Sequence, residues 1–137
     1  MENLVLRDGL FYQRSSSTPY TGELDDKRSQ GSIVNGRQVG AWIAYWKNGQ
    51  ISSRGNYKNG EQNGSWLYYY DNGSLWSEES WKKGIQDGPW ITYWDNGQLK
   101  SKGNYKNGKR EGPWVSYWKN GEISEWESGT FKNGERE

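Results

Sequence analysis

The sequence predicts an all-β protein: a single-layer antiparallel meander of 24-residue β-hairpin repeats, elongated and twisted. Glycine recurs every 24 residues, at positions 40, 64, 88 and 112, and the residues around it recur with it. Asn-Gly pairs lie between aromatic-rich runs, which is the strongest short-range hairpin signal. Gly and Asn recur too often for a helix, and no apolar stripe follows a 3.6-residue period. With two turns in each repeat, we expect about nine or ten strands.

The repeat divides the chain into three parts. Residues 1–21 precede it, and their LVLRDGLFY segment is predicted to form a capping strand, because a stacked array needs an atypical end. Residues 22–39 are a shortened first copy, in which Ile33 takes a position that aromatic residues hold later. Four full repeats are predicted at 40–63, 64–87, 88–111 and 112–137, the last with a two-residue insertion near Trp126.

Aromatic residues occupy fixed positions of the repeat, and each repeat contains two predicted turns. A type I′ turn needs positive φ at both central residues, which Asn tolerates and Gly prefers. The aligned aromatic positions are Trp42, Trp66, Trp90 and Trp114; Tyr45, Tyr69, Tyr93 and Tyr117; Trp46, Tyr70, Trp94 and Trp118; and Tyr57, Trp81, Tyr105 and Phe131. The first turns are 48–49, 72–73, 96–97 and 120–121, and the second are 59–60, 83–84, 107–108 and 133–134.

The turns set which side chains share a face of the sheet. If Asn48-Gly49 is a two-residue loop, Trp46 pairs with Ile51, Tyr45 pairs with Ser52, and Trp42 stands opposite Gly55, where an indole has room to lie. One face, which we call the tryptophan face, then carries the Trp42, Trp46 and Tyr57 columns and is the expected inner face. The opposite mixed face carries the Tyr45 column among polar residues. Because each buried ring removes about 150–250 Å² from water, the tryptophan face must be covered.

Composition excludes several kinds of function. The chain has no His and no Cys, which removes the commonest general base and every thiolate nucleophile or zinc-thiolate site. Glu78, Glu79, Asp71 and Asp95 are scattered, so we predict no catalytic residues, no metal site and no cofactor. A net charge of +1 argues against nucleic acid and against a membrane surface as the partner. The start has no apolar run of signal-peptide length, so a cytoplasmic location is expected.

The repeat resembles a known family. The unit G-x-W-x-x-Y-W-x-N-G-Q-x-x-x-x-G-x-Y-x-N-G is similar to the bacterial variant of the MORN repeat, and the leader RDGLFYQRSSSTPYTGE resembles that of the YwqK-type antitoxin and immunity family. The resemblance covers residues 5–137 and departs from the pattern in the shortened first copy and in the insertion. It implies a non-catalytic protein that binds and neutralises a cognate toxin from the same locus. MORN repeats in general also imply scaffolding, homodimer formation and contact with membrane lipids.

Partner-binding candidates are aromatic residues of the mixed face and residues that interrupt the repeat. Trp76 replaces the Ser52, Lys100 or Ser124 of the other copies and is expected on the mixed face, paired with Tyr69. It is either a cross-strand pair or an exposed interface anchor. A scaffold, an oligomerisation or membrane-surface module, and a carbohydrate-binding aromatic sheet remain the alternative functions. The candidate residues are Tyr45, Tyr69, Trp76, Tyr93, Tyr117, Arg54 and Trp126.

Overall fold

The computed structural model describes residues 4–137, and within them all regular structure is β-strand. The strands, in chain order, are β1 (Leu4–Arg7), β2 (Leu10–Gln13), β3 (Gly22–Asp25), β4 (Ser29–Val34), β5 (Arg37–Tyr45), β6 (Ile51–Lys58), β7 (Glu61–Gln62), β8 (Gly64–Tyr69), β9 (Leu75–Lys82), β10 (Ile85–Gln86), β11 (Gly88–Tyr93), β12 (Leu99–Lys106), β13 (Lys109–Ser116), β14 (Gly129–Lys132) and β15 (Glu135–Arg136).

Strands β3 to β15 form one open antiparallel sheet of 13 strands in the described part of the chain. Successive strands pair along the sheet, with β7 and β8 both beside β6 and with β10 and β11 both beside β9, which confirms the predicted all-β meander. The number of strands exceeds the nine or ten expected, partly because two of them are interrupted. Asn63 separates β7 from β8, and Asp87 separates β10 from β11.

The two Asn-Gly turns of a repeat have different geometries. At Asn59-Gly60 both residues have positive φ, 52° and 83°, and Lys58 pairs with Glu61, so this is the predicted two-residue turn. At Asn48-Gly49 the glycine has a φ of 88°, whereas Asn48 is outside the positive-φ region. The Trp46 amide donates to the Gln50 carbonyl at 2.7 Å, which closes a three-residue loop. The two-residue loop predicted at Asn48-Gly49 was therefore wrong.

The longer loop introduces a β-bulge that changes the faces near the turn. Ala44 pairs with Ser53, but Tyr45 pairs with Ile51, so Ser52 is an extra residue. The predicted pairs of Trp46 with Ile51 and of Tyr45 with Ser52 were wrong. Ile51 consequently shares the mixed face with Tyr45, because directly opposed residues point to the same side of a sheet.

A bend at a glycine two residues before the ring lets three tryptophans of the Trp42 column cross the preceding strand. Trp42 pairs with Gly55, as predicted, but its indole lies on Gly31 of β4, where a Cβ would be 2.2 Å from the ring. Gly40, with a φ of 69°, bends the chain just before the ring, and Trp42 Nε1 donates to the Ser32 carbonyl at 3.1 Å. The arrangement recurs for Trp66 on Gly55 and Trp114 on Gly103, with Nε1 donating to the carbonyls of Asn56 at 2.9 Å and Asn104 at 3.0 Å.

Neighbouring repeats are also hydrogen-bonded at both rows of turns. On one side of the sheet, the Gly60 amide donates to the Gln38 carbonyl at 2.9 Å, linking the turn of one repeat to the strand before it. On the other side, Trp46 Nε1 donates to the Tyr69 carbonyl of the next repeat at 3.1 Å. Equivalent bonds are Gly84 N to Gln62 O, Gly108 N to Gln86 O, Gly134 N to Arg110 O, Tyr70 Oη to Tyr93 O and Trp94 Nε1 to Tyr117 O.

The N-terminal segment covers one end of the tryptophan face. Strands β1 and β2 form a separate two-stranded hairpin, and Leu4 and Phe11 pack against the cluster of Ile33, Trp42 and Trp66. Ile33 is fully buried there. The predicted capping strand is thus a hairpin placed outside the main sheet. The first three residues of the predicted capping segment 1–21 lie outside the described residues.

Arginines cover the other end of the tryptophan face. Arg110 Cζ lies 4.7 Å from the ring centroid of Trp114 and 5.3 Å from that of Phe131. Arg136 Cζ lies 5.6 Å from the Phe131 centroid. Phe131 is buried and pairs with Gly112, so it continues the aromatic column across the insertion, as predicted.

We expect Trp66→Ala to lower the free energy of unfolding by about 3–5 kcal/mol, because it empties a buried indole site. Trp126→Ala serves as the control, since its ring is 83% exposed, and should cost less than about 0.5 kcal/mol. Urea unfolding followed by circular dichroism measures both. Equal midpoints for the two variants would show that the tryptophan face is not the core.

Candidate functional site

The tryptophan face is closed at both ends and open in the centre. Trp42, Trp66 and Trp114 are 5%, 3% and 5% exposed. Trp90, the fourth member of the column, is only half-buried, and so is Trp81 beside it. The residues of this open centre are Tyr68, Glu79, Trp81, Trp90 and Tyr105. Its rings form a chain, with centroids 5.5 Å apart from Trp81 to Trp90 and 4.9 Å apart from Trp90 to Tyr105.

The centre is open because Glu79 replaces the glycine that a tryptophan crosses elsewhere. Gly31, Gly55 and Gly103 each lie eleven residues before the tryptophan that covers them, and the residue eleven before Trp90 is Glu79. A side chain at this place excludes the indole, since even a Cβ at the glycines would collide with the ring. The Trp90 indole N–H accordingly has no acceptor among residues 4–137, whereas its three equivalents each have a backbone carbonyl.

Glu79 is a half-buried carboxylate among aromatic rings. Its Oε1 accepts from Trp81 Nε1 at 3.1 Å, and its Oε2 accepts from Ser77 Oγ at 2.8 Å. Burial raises the pKa of Glu79 above its ordinary value, and these two hydrogen bonds partly oppose that rise. Across residues 4–137 the salt bridge that forms is Lys119 with Asp95, so Glu79 has no cation beside it.

Trp76 lies at the turn side of the tryptophan face, not on the mixed face. Its ring centroid is 6.4 Å from that of Tyr68 and 5.8 Å from that of Tyr70. Tyr69 pairs with Leu75 instead, so Trp76 is the extra residue of the bulge, and the predicted Trp76–Tyr69 pair was wrong. Its side chain is 44% exposed, which leaves one side of the ring free to contact a partner.

The remaining candidates lie on two other surfaces. Arg54 is exposed on the mixed face, and Trp126 is exposed in the C-terminal insertion, where its carbonyl accepts a hydrogen bond from Arg136. The structure therefore does not bring the predicted site residues together. The half-buried mixed-face tyrosines, each paired with an aliphatic residue, are Tyr45 with Ile51, Tyr69 with Leu75, Tyr93 with Leu99 and Tyr117 with Ile123.

No group of three or more Asp or Glu in residues 4–137 is arranged to hold a metal ion. The part of the chain that the structure describes also has no helix long and apolar enough to cross a membrane. What the open centre offers is aromatic ring surface around one carboxylate.

Comparison with known proteins identifies the repeat. Three segments, 38–59, 62–83 and 86–107, match the family model of the MORN repeat variant. These three segments are MORN-variant repeats. The matched segments begin 24 residues apart, which is the period read from the sequence. MORN repeats are generally non-catalytic modules that bind proteins or membranes. A search of the curated proteins finds no match.

Sequence reasoning missed Glu79 as a member of the site, although a signal was present. In the aligned copies of the repeat the glycine column reads Gly31, Gly55, Glu79 and Gly103, and the interruption is visible without a structure. Its meaning depends on which strand each tryptophan crosses. Trp66 is the residue paired with Glu79 in the sheet, but Trp90, eleven residues after Glu79, is the ring whose crossing position Glu79 occupies.

We expect Glu79→Gln to raise the melting temperature at about pH 7, with no difference at about pH 4. The folded state holds the pKa of Glu79 above its ordinary value of 4.5, so at lower pH both states are protonated and no cost arises. As the pH rises through the folded-state pKa, the half-buried charge destabilises the fold, and glutamine removes that charge. Glu78→Gln, on the mixed face, is the matched control. A melting-temperature difference that is the same at both pH values would contradict this account.

Proposed function

We propose that the protein is a non-catalytic binding protein that holds a partner protein on the open centre of its tryptophan face, and that this partner is a toxin it neutralises. The observation that carries the proposal is the exposure of large rings on a sheet that no second layer covers. Trp81 and Trp90 are half-buried there, and Trp76, 44% exposed, has its ring centroid 6.4 Å from that of Tyr68 in the same centre. Exposed aromatic surface of this kind marks interaction sites.

The properties of the surface favour a protein as the occupant. Tryptophan and tyrosine are the residues most enriched at the energetic centres of protein interfaces. These rings are held by their neighbours along the sheet, so they lose little conformational freedom when a partner binds. An array of repeats also presents an extended surface, which suits a partner of protein size.

The resemblance of the leader and repeats to the YwqK-type antitoxin family supports a toxin as the partner. A protein of this kind neutralises its toxin by covering the toxin's functional surface, which requires binding and no catalysis. A rigid sheet with fixed rings is suited to that task. A second copy of the chain is the other occupant that could cover the open centre, and it is distinguished by its mass in solution.

Co-expression tests the toxin assignment. The product of the gene next to this one should arrest growth when expressed by itself, and growth should recover when this protein is expressed with it. The two proteins should then elute together in size-exclusion chromatography at a mass equal to their sum. Normal growth with the neighbouring product, or a complex that contains two copies of this chain and nothing else, would reject the assignment.

The exposed ring of Trp76 should contribute to holding the partner. We expect Trp76→Ala to weaken partner binding at least tenfold, about 1.4 kcal/mol, with little change in melting temperature. Lys100→Ala is the matched control, because Lys100 occupies the same bulge position of the next repeat. Tyr93→Ala reports on the mixed face. If Tyr93→Ala abolishes binding in calorimetry while Trp76→Ala does not, the partner is held on the mixed face.

A further inference from the structure

We propose that the open centre of the tryptophan face binds an arginine side chain of the partner protein, with the guanidinium held by the Glu79 carboxylate and the rings of Trp81 and Trp90. The inference rests on the proposed protein-binding function and names the chemistry of the contact. Its basis is a carboxylate without a salt-bridge partner, placed among half-buried aromatic rings.

The chain itself shows how this face is covered by a guanidinium. At the C-terminal end, Arg110 Cζ lies over Trp114 at 4.7 Å from the ring centroid, within the range of cation–π attraction. Trp114 is the buried equivalent of Trp90, one repeat later. An arginine over a tryptophan of this column is thus an arrangement that the sheet accommodates.

The open centre lacks the arginine that its equivalent has. The residue that corresponds to Arg110, 24 residues earlier, is Gln86, which carries no charge. Glu79 at the same time replaces the Gly103 of the next repeat. At these two positions, repeat 64–87 therefore has one cation fewer and one anion more than repeat 88–111. A guanidinium supplied from outside restores the charge balance that the C-terminal end has internally.

The nearby lysines of the chain do not supply that cation. Lys82 and Lys106 follow Trp81 and Tyr105 directly, and successive side chains of a strand point to opposite faces. Lys102 pairs with Ile91 and so lies on the mixed face. Two cations do lie on the tryptophan face, but each covers another ring: Lys100 Nζ is 4.6 Å from the Trp94 centroid and Arg110 Cζ is 4.7 Å from the Trp114 centroid. Neither forms a salt bridge with Glu79.

Arginine fits the site better than lysine because its charge is planar and delocalised. The two Glu79 oxygens each accept one hydrogen bond from the protein, and each keeps a further lone pair for an incoming N–H. A guanidinium donates two parallel hydrogen bonds to a carboxylate while its plane stacks on an aromatic ring, and an ammonium group cannot do both. Trp81 and Trp90, tilted by 60° to each other, offer such rings beside the carboxylate.

A titration of the full chain with N-acetyl-arginine amide tests the site directly. The tryptophan indole N–H groups give separate signals in a ¹⁵N–¹H correlation spectrum, and Trp81→Phe and Trp90→Phe identify the two that matter. We expect saturable shifts of these two signals with arginine amide and none with N-acetyl-citrulline amide, which is neutral and of the same shape. Glu79→Gln should weaken the interaction at least tenfold, and Glu78→Gln should leave it unchanged.

Glu79→Gly provides a second variant that tests the geometry. Restoring glycine lets Trp90 cross the strand as Trp66 and Trp114 do, so the variant should fold and lose the arginine response. The proposal is overturned if citrulline shifts the same signals as strongly as arginine, if Glu79→Gln binds as tightly as the unmodified chain, or if the two signals show no saturable response. Retained binding in a folded Glu79→Gly variant would also overturn it.

The titration contains no partner protein, so its outcome is independent of the co-expression experiment. A negative titration with restored growth removes the arginine site and leaves the antitoxin function standing. A positive titration without growth protection rejects the toxin as the partner and leaves an arginine-binding surface.

Discussion

The whole sheet depends on an indole that lies across a glycine of the preceding strand. The ring of Trp66 occupies the space that a side chain at Gly55 would need, and its N–H donates to the Asn56 carbonyl, which also accepts from the Asn63 amide. A single layer has no second sheet to bury its apolar face, so burial must occur along the sheet, ring against neighbouring strand. The repeat follows from this contact. Each crossing tryptophan needs a glycine in the strand before it, and the strand after it carries the glycine for the next tryptophan.

The candidate site arises where this interaction is broken. Glu79 occupies a glycine position, and the tryptophan that should cover it stays half-exposed beside a carboxylate. Burying a charge without a counter-ion costs stability, and a cation of a bound partner would offset that cost. The closed ends and the open centre are built from the same repeat, which means that the difference between them lies in very few side chains.

The 24-residue period, the pairing of strands away from the first turn and the burial of Ile33 and Phe131 could be predicted from sequence. The reason is that the repeat aligns each position with several independent copies. The faces near the first turn could not be predicted, because Asn48-Gly49 and Asn59-Gly60 are the same dipeptide in different turns. In the former the Asn48 side chain accepts a hydrogen bond from the Gln50 amide, which stabilises a longer loop. In the next repeat the extra residue of the bulge is Trp76, which therefore lies on the tryptophan face and not on the predicted mixed face. The open centre could not be predicted from the sequence for a related reason. The bulges decide which strand a ring crosses, and the role of Glu79 can be recognised only once that strand is known.

The hydrogen bonds between successive turns have a consequence for how such a chain can change in length. Each unit gives donors such as Trp46 Nε1 to the unit after it and receives the matching set from the unit before it, with the same spacing throughout. Deleting one whole repeat therefore brings the donors of one repeat to the equivalent acceptors of another. No hydrogen-bonding group at the new junction is left without a partner. The protein behaves as a linear array in which each repeat is coupled only to its neighbours. Evolution can therefore add, delete or transfer a specialised repeat, such as the one containing Glu79, while the other repeats keep their hydrogen bonds.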